Sequence, residues 1–528
     1  MNPGAFSPSL CRMLERNLPR ALPRFRWFGD KSRKITGVRI LETIALPHAW
    51  LVLARVTLAP GRNTADYLVP VAIVRARAAI ALSRCNNKNL LAFKKGRTRG
   101  SHIALKEASR DKRFLNDMFL IITGASPFKD KKCSLIPQAT RSFAKELRRI
   151  KSIPGPAPVR AEQSNSSCKF GNRYILKIYR RLGEGPGREI ETGRYLTDRA
   201  HFKNAPGLAA ALTLKTSKGA KYPLACMHEL VRVKSDAWYV FTDMLRRDLP
   251  QKLQMSVFDF PLPPKQLVVE ASRPLPPHVE KNLGNFVKMA TLLGRRTMEL
   301  HLALAKDQSA LKKPFIAAEA RKTSAFALKT VKRLRASFST LPDGMQEPAR
   351  EILKSYPAAI KTLSRTSIIS KEGMDLGLSS RTHGDLHLGQ VLWTGSDFMF
   401  IDFEGEPLGD AHSRTALHPP LRDTAGMLRS FHYAANFVAI NLPAEKSRRL
   451  EPWLEYWHAW MCIAFLRGYF SLRNKAVFLP KTNAASRLLL DMYLIQKAFY
   501  ELSYELDNRP DWLRVPLAGL VWLLDNET

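Results

Sequence analysis

The residues best suited to chemistry sit in two short runs, Arg381-Thr-His-Gly-Asp-Leu-His-Leu-Gly-Gln-Val-Leu392 and Phe400-Ile-Asp-Phe-Glu-Gly-Glu406. Moving a phosphoryl group onto a hydroxyl needs a carboxylate to orient the attacking oxygen. It also needs oxygen ligands for the Mg2+ that bridges the nucleotide phosphates. Asp385 could be that carboxylate. Gln390, five residues later, and Asp402, 17 residues later, could hold the metal. His-Gly-Asp alone is a weak signal, but two carboxylates, an amide at this spacing and an intervening strand together are specific. The structural alternative makes Asp385 a helix cap and Asp402 a salt-bridge partner. His383 and His387 flank Asp385 at i, i+4. A zinc site would need a third ligand, and none is evident, so these histidines are read as orienting the loop beside the acceptor.

This spacing is also that of protein kinases, which place an amide ligand five residues after the catalytic Asp and a second metal-binding Asp beyond the next strand. An enzyme of that kind needs a cation on the nucleotide phosphates and a carboxylate to hold the cation. Lys177, in Ile175-Leu-Lys-Ile178, lies among apolar strand residues where an unpaired ammonium is costly. Glu191 on the following helix is its expected partner, the alternative being an edge-strand lysine facing solvent. There is no Gly-x-Gly-x-x-Gly. Ser164, Asn165 and Ser166, in Glu162-Gln-Ser-Asn-Ser-Ser167, could cradle phosphates with backbone N–H groups, although such residues are also ordinary in turns. Glu229 and Val231 are placed at an adenine-binding hinge by position alone.

The elements that must position these residues change character along the chain. Trp50–Leu58 and Tyr67–Val74 read as paired strands around Pro60-Gly-Arg-Asn63, and residues 86–150 are weakly patterned. Ser152–Pro158 reads as a linker. Lys169–Tyr179 is a hairpin around Gly171-Asn172, Glu189–Leu196 a helix, and Leu224–Val231 and Ala237–Phe241 strands. Helices are expected over Val287–Leu304, Ser324–Leu341, Arg422–Ala435, Pro452–Leu472 and Ala484–Leu506, with a short strand at Met399–Phe403. The order is a small β-rich lobe and then a large helical lobe.

With 528 residues, 45% of them apolar and 25% charged, the chain is long enough for two or three globular domains, which excludes disordered and fibrous classes. Its formal charge is +38, and residues 84–151 carry 18 Lys/Arg against 5 Asp/Glu. Such a surplus attracts polyanions. A solvated basic face is favoured over a nucleic-acid site, because no nucleic-acid motif accompanies it. The six cysteines are scattered without a Cys-x-x-Cys pair, as expected in a reducing cytoplasm. No apolar run suits a signal peptide, and the longest, Leu513–Leu524, is too short to span a bilayer.

Taken together, the motifs resemble those of bacterial maltokinases, free-standing or as part of trehalose synthase fusions. The likeness begins at Phe25-Arg-Trp-Phe-Gly-Asp-Lys31 and includes Glu162-Gln-Ser-Asn165 and Leu293-Gly-Arg-Arg-Thr-Met-Glu-Leu-His-Leu-Ala303. It continues through the two catalytic runs to Pro420-Leu-Arg-Asp-Thr-Ala-Gly-Met-Leu-Arg-Ser430 and Lys497-Ala-Phe-Tyr-Glu-Leu-Ser-Tyr-Glu-Leu-Asp-Asn-Arg-Pro-Asp-Trp512. It implies an α+β, protein-kinase-like bilobal fold preceded by an α+β cap domain. The expected divisions are a cap at 1–151, an N-lobe at 152–235 and a helical C-lobe at 236–528. It implies ATP- and Mg2+-dependent phosphorylation of maltose to maltose 1-phosphate, feeding α-glucan synthesis, and a possible trehalose synthase partner. It also implies that Glu404 assists the metal site and that Lys497, Tyr500, Glu501, Tyr504, Glu505, Asn508 and Arg509 line the sugar pocket. Residues 497, 501, 504 and 508 share one helix face, and Tyr rings, carboxylates and Arg suit sugar. A surface helix with i, i+4 pairs is the plainer reading of that face. Two alternatives stay open: a kinase of the same fold for another sugar or an aminoglycoside-like acceptor, and a non-catalytic basic adaptor.

Overall fold

The protein is described from a computed structural model covering residues 6–31, 33–61, 63–84, 88–98, 101–126, 133–147, 155–159, 164–254, 260–264, 266–342, 344–405 and 416–524. The expected Glu162-Gln163 and Glu406 motif positions lie outside the described residues. The chain forms two compact units, residues 1–201 with 206–231, and residues 202–205 with 232–528.

The first unit opens with α1 (Pro8–Ala21), whose first turn is capped by Ser7 Oγ. Then come β1 (Ile35–Ala45), β2 (Trp50–Leu58), β3 (Asn63–Arg75), α2 (Ala76–Arg84), β4 (Leu90–Lys94), β5 (Ile103–Glu107) and α3 (Lys112–Ile122). They are followed by β6 (Ser134–Ala139), α4 (Arg141–Leu147), β7 (Pro156–Pro158), β8 (Ser166–Phe170), β9 (Tyr174–Ile178) and β10 (Arg181–Leu182). The unit ends with α5 (Arg188–Tyr195), β11 (Leu208–Lys215) and β12 (Lys221–Glu229). One antiparallel sheet runs β1-β2-β3-β5-β4, with β10 added to β3; the other runs β6-β11-β12-β9-β8-β7. Strand β2 is apolar on both faces. Val52, Ala54 and Val56 meet a core that includes α1, while Leu51 and Leu53 meet one that includes α3.

The expected division at 151/152 does not separate these sheets. Strand β6 precedes it yet pairs with β11, and β10 follows it yet pairs with β3. One core runs across both sheets, from Leu51 to Met227. A buried cation reinforces it. Arg180 is fully buried, donates from Nη1 to Leu68 O at 3.1 Å and from Nε to Ser166 Oγ at 2.9 Å, and pairs with Glu107. Its guanidinium also stacks 4.3 Å from the Trp27 ring, which gives the Arg-Trp-Phe-Gly run a structural purpose.

The second unit holds β13 (Ser235–Asp236), α6 (Ala237–Lys252), α7 (Leu267–Glu270), α8 (Pro277–Leu304), α9 (Ile316–Ser337) and α10 (Gln346–Lys371). The hairpin β14 (Val391–Trp393) and β15 (Phe398–Phe400) follows. Helices α11 (Leu421–Ile440), α12 (Ala444–Phe470), α13 (Asn483–Asn508) and α14 (Arg514–Leu524) complete it. Ala237–Phe241 is helical, not the expected strand. Asp236 Oδ1 accepts the Tyr239 N–H at 2.8 Å as an N-cap, and Ala237, Phe241, Leu245 and Leu249 recur on one buried stripe. Helices α1 and α10 go unread in the sequence because Pro19 and Pro357 interrupt their pattern. From Trp453 onward helix α12 is buried on nearly every side, and it crosses α8 backbone to backbone. A Cβ on Gly294 would lie 1.9 Å from Phe465 O, and one on Gly468 1.9 Å from Thr291 O. The apolar run Leu513–Leu524 is the core helix α14, and no described helix is long and apolar enough to cross a membrane.

Candidate active site

The segment from Ser379 to Gln390 has almost no regular structure, so its shape depends on partners outside it. Asp423, in the first turn of α11, supplies most of them. Its carboxylate accepts the backbone N–H of His383 and, at 2.8 Å, that of Gly384, and meets His301 Nε2 at 3.2 Å. His301 is in turn fixed by Tyr469 Oη at 2.8 Å. Burial alone would raise the Asp423 pKa, but His301, through its hydrogen bond and charge, and the Gly384 N–H hold it well below the usual carboxylate range. Gly384 adopts φ +89°, which glycine alone enters without strain, and Gly426 lets α11 approach so closely that a Cβ there would lie 2.6 Å from Leu386 O.

His383 is fully buried; its Nε2 bonds Ile401 O at 2.8 Å and its ring packs on Phe403. Burial lowers its pKa, keeping the ring neutral. It therefore ties the loop to the segment bearing Asp402, and is not placed to touch a substrate. His387 Nε2 stands 3.9 Å from Asp385 Oδ2, while its Nδ1 accepts the Gly389 N–H at 3.1 Å.

The expected metal ligands meet. Gln390 Nε2 donates to Asp402 Oδ2 at 3.0 Å, and Asp402 holds the left-handed φ +68°, a strained value for a non-glycine residue. With its amide nitrogen committed to Asp402, Gln390 offers its oxygen beside a carboxylate. An oxygen-only set of this kind fits a hard cation such as Mg2+, which Gln390 and Asp402 would hold. Glu404 is half-buried two residues further on.

Asp385 stands at the wall of a cavity of about 340 Å³ inside the second unit. Its Oδ1 pairs with Lys497 Nζ at 3.2 Å, and the ammonium lies 5.0 Å over the Tyr500 ring. Thr323 and Phe326 of α9, Arg422 of α11 and Tyr493, Gln496, Lys497 and Tyr500 of α13 line the same space. Gln496 Nε2 donates to Thr323 Oγ1 at 2.9 Å. Of the expected sugar-pocket residues, Lys497 and Tyr500 reach this cavity. The others have different partners. Glu501 is buried against Arg429 at 2.9 Å, Glu505 binds Arg509 at 2.7 Å and Tyr433 Oη at 3.4 Å, and Asn508 donates to Tyr504 O. A face defined over three helical turns is longer than the cavity, and its C-terminal part locks α13 to α11. Sequence reasoning quoted the runs containing His301 and Asp423 without giving either a role. Phe326 and Gln496 carried no signal at all.

In the first unit Lys177 Nζ pairs with Glu189 Oε2 at 3.0 Å. The expected partner, Glu191, is exposed: α5 turns Glu189, two residues earlier, toward β9. Tyr179 Oη donates to the same carboxylate oxygen at 2.7 Å. Asn165 Oδ1 accepts the backbone N–H of Arg180 at 3.4 Å and Ser166 Oγ accepts from the Arg180 guanidinium at 2.9 Å, so both side chains take part in fixing Arg180; Ser164 is exposed. Glu229 ends β12 exposed, and Val231 is half-buried.

No family model matches the chain. It is 25% identical over 374 residues to a glucosamine kinase of Mycolicibacterium smegmatis, covering 71% of this chain and 81% of that protein. A glucosamine kinase of Streptacidiphilus jiangxiensis is 26% identical over 388 residues, covering 71% and 76%. The solved structure of a glucosamine kinase in complex with glucosamine, ADP and inorganic phosphate superposes with a TM-score of 0.57 at 18% identity, over 98% of this chain and 99% of that one. A second crystal form of a glucosamine kinase gives 0.58 at 17% identity, over 97% and 99%. The chain therefore has the α+β, kinase-like fold of these structures.

Proposed function

We propose that this chain is an ATP-dependent sugar kinase. The observation that carries this reading is Asp385, a carboxylate on the wall of a polar and aromatic cavity, on a loop whose Gln390 pairs with Asp402 of the following segment. Asp385 accepts the proton of the acceptor hydroxyl as that oxygen attacks the γ-phosphoryl group. Thr323, Gln496 and Lys497 offer hydrogen bonds to neighbouring hydroxyls, and the Phe326 and Tyr500 rings pack on sugar C–H faces. Lys177, held by Glu189, neutralises nucleotide phosphate charge. A divalent cation bound by Gln390 and Asp402 would offset the remaining charge on the transferred group. The glucosamine kinase relatives support the same reaction class.

Two acceptors compete. Lys322, Arg422 and Lys497 line the cavity beside Asp385 and Asp423, so it offers no surplus of carboxylates for a protonated amine. That balance, with the motif resemblance, supports a neutral sugar such as maltose. The relatives support glucosamine instead. ADP formation from ATP and Mg2+, measured with maltose, glucose, trehalose, glucosamine and no sugar, separates the two. Maltose-dependent turnover exceeding that with glucosamine is expected. A preference for glucosamine would overturn the maltose assignment and keep the kinase, whereas no sugar-dependent turnover in a folded protein would overturn both.

A further inference from the structure

Around Lys177 the first unit gathers ligands unlike the oxygen donors of the catalytic loop. Strands β9 and β12 pair antiparallel with Cys226 opposite Lys177, so these side chains share a face of the sheet. His228, two residues along β12, follows on that face. Cys226 and Glu189 are buried and His228 half-buried. A carboxylate oxygen of Glu189, Cys226 Sγ and a ring nitrogen of His228 all lie within 4.8 Å of one another. His228 Nε2 is 3.8 Å from Glu189 Oε1, and Tyr179 Oη is 3.1 Å from Cys226 Sγ. Zn2+ binds sulfur at about 2.3 Å and nitrogen or oxygen at about 2.0–2.2 Å, so the three atoms need to close by roughly an ångström at most to share one tetrahedral ion.

We infer that Glu189, Cys226 and His228 form an inhibitory site for Zn2+, with water as the fourth ligand. Thiolate, imidazole and carboxylate make a borderline-soft set that favours Zn2+ over Mg2+. Binding replaces the Cys226 S–H bond by a metal–sulfur bond and releases the proton to solvent, with no change of oxidation state. Glu189 also holds Lys177 at 3.0 Å, so the ion competes with the ammonium for that carboxylate. This inhibitory consequence rests on the nucleotide role proposed for Lys177; the metal site does not.

The test is a Co2+ titration of the reduced full chain without nucleotide, reading the near-ultraviolet thiolate-to-cobalt charge-transfer band. The band is expected in the intact chain and in Cys11→Ala, lost in Cys226→Ala, and shifted to at least about tenfold higher Co2+ in His228→Gln, with circular dichroism confirming that each variant is folded. Absence of the band from the intact chain, or its survival in Cys226→Ala, overturns the site whatever the enzyme's activity. Where the band is present, Zn2+ is expected to reduce sugar-dependent ADP formation at saturating Mg2+, and Cys226→Ala to resist it. Undiminished turnover with Zn2+ bound overturns the competition with Lys177.

Discussion

Glu189 accepts hydrogen bonds from Lys177 and Tyr179 in a buried setting, where a charge-assisted bond contributes about 1.5–3 kcal/mol. Glu189→Gln should therefore raise KM for ATP by about ten- to a hundredfold, while Glu191→Gln, at an exposed position, leaves it unchanged. Initial-rate kinetics on the two variants check this, and equal effects would return the partner role to Glu191. The sequence leads to the expectation that a carboxylate on this helix meets Lys177. It does not show which one, because two residues along a helix turn the side chain slightly more than half-way round, and the starting residue decides the facing side. The same holds around Asp385: its type and spacing suggest the chemistry proposed for it, but the loop's dependence on Asp423 and His301 emerges only once α8, α11 and the loop are packed together.

Helix packing fixes the loop: Gly294 and Gly468 set the distance of one crossing, and Gly426 sets that of α11 to the loop itself. Gly468→Ala would drive a methyl group into the Thr291 carbonyl, against backbone that cannot move aside as a side chain tip can. A loss of about 3 kcal/mol or more is expected, read as a lowered midpoint in urea. Gly426→Ala presses instead on Leu386, next to Asp385, and should lower kcat more than stability. Wild-type stability in Gly468→Ala would contradict the backbone-to-backbone crossing. Gly294 and Gly426 stand in quoted motifs, yet nothing in the sequence says what they approach. Elements with clean periodicity were legible: the hairpin at Lys169–Tyr179 and β2, found at Trp50–Leu58 as read. Those with Pro19 or Pro357, or with the β-favouring Trp238-Tyr239-Val240 run, were not, because burial and a cap override propensity.

At the scale of the whole molecule, acid should destabilise the chain through its buried histidines. Burial, then the Arg429 charge, pushes His458 down to about 3, and burial lowers His383 and His432 as well. Their unfolded value is about 6.5, so the unfolded chain binds more protons below that pH. Stability is fully present above pH 6.5 and falls on acidification toward the folded values, by up to about 1.4 kcal/mol per pH unit for each ring. Tm should drop between pH 7 and 5, with a shallower slope in His458→Phe; a flat profile would contradict the buried neutral histidines. The two-part order, β-rich and then helical, is legible because lobe composition changes along the chain. The crossing of β6 and β10 over the expected 151/152 boundary is not, since each pairs with a strand from the other side of it. The central claim, that Asp385 is the base of a sugar kinase, is tested most directly by Asp385→Asn in single turnover with ATP, Mg2+ and the preferred sugar. Phosphorylation slowed about 100- to 10,000-fold with ATP affinity unchanged is the expected result; a near wild-type rate would contradict it.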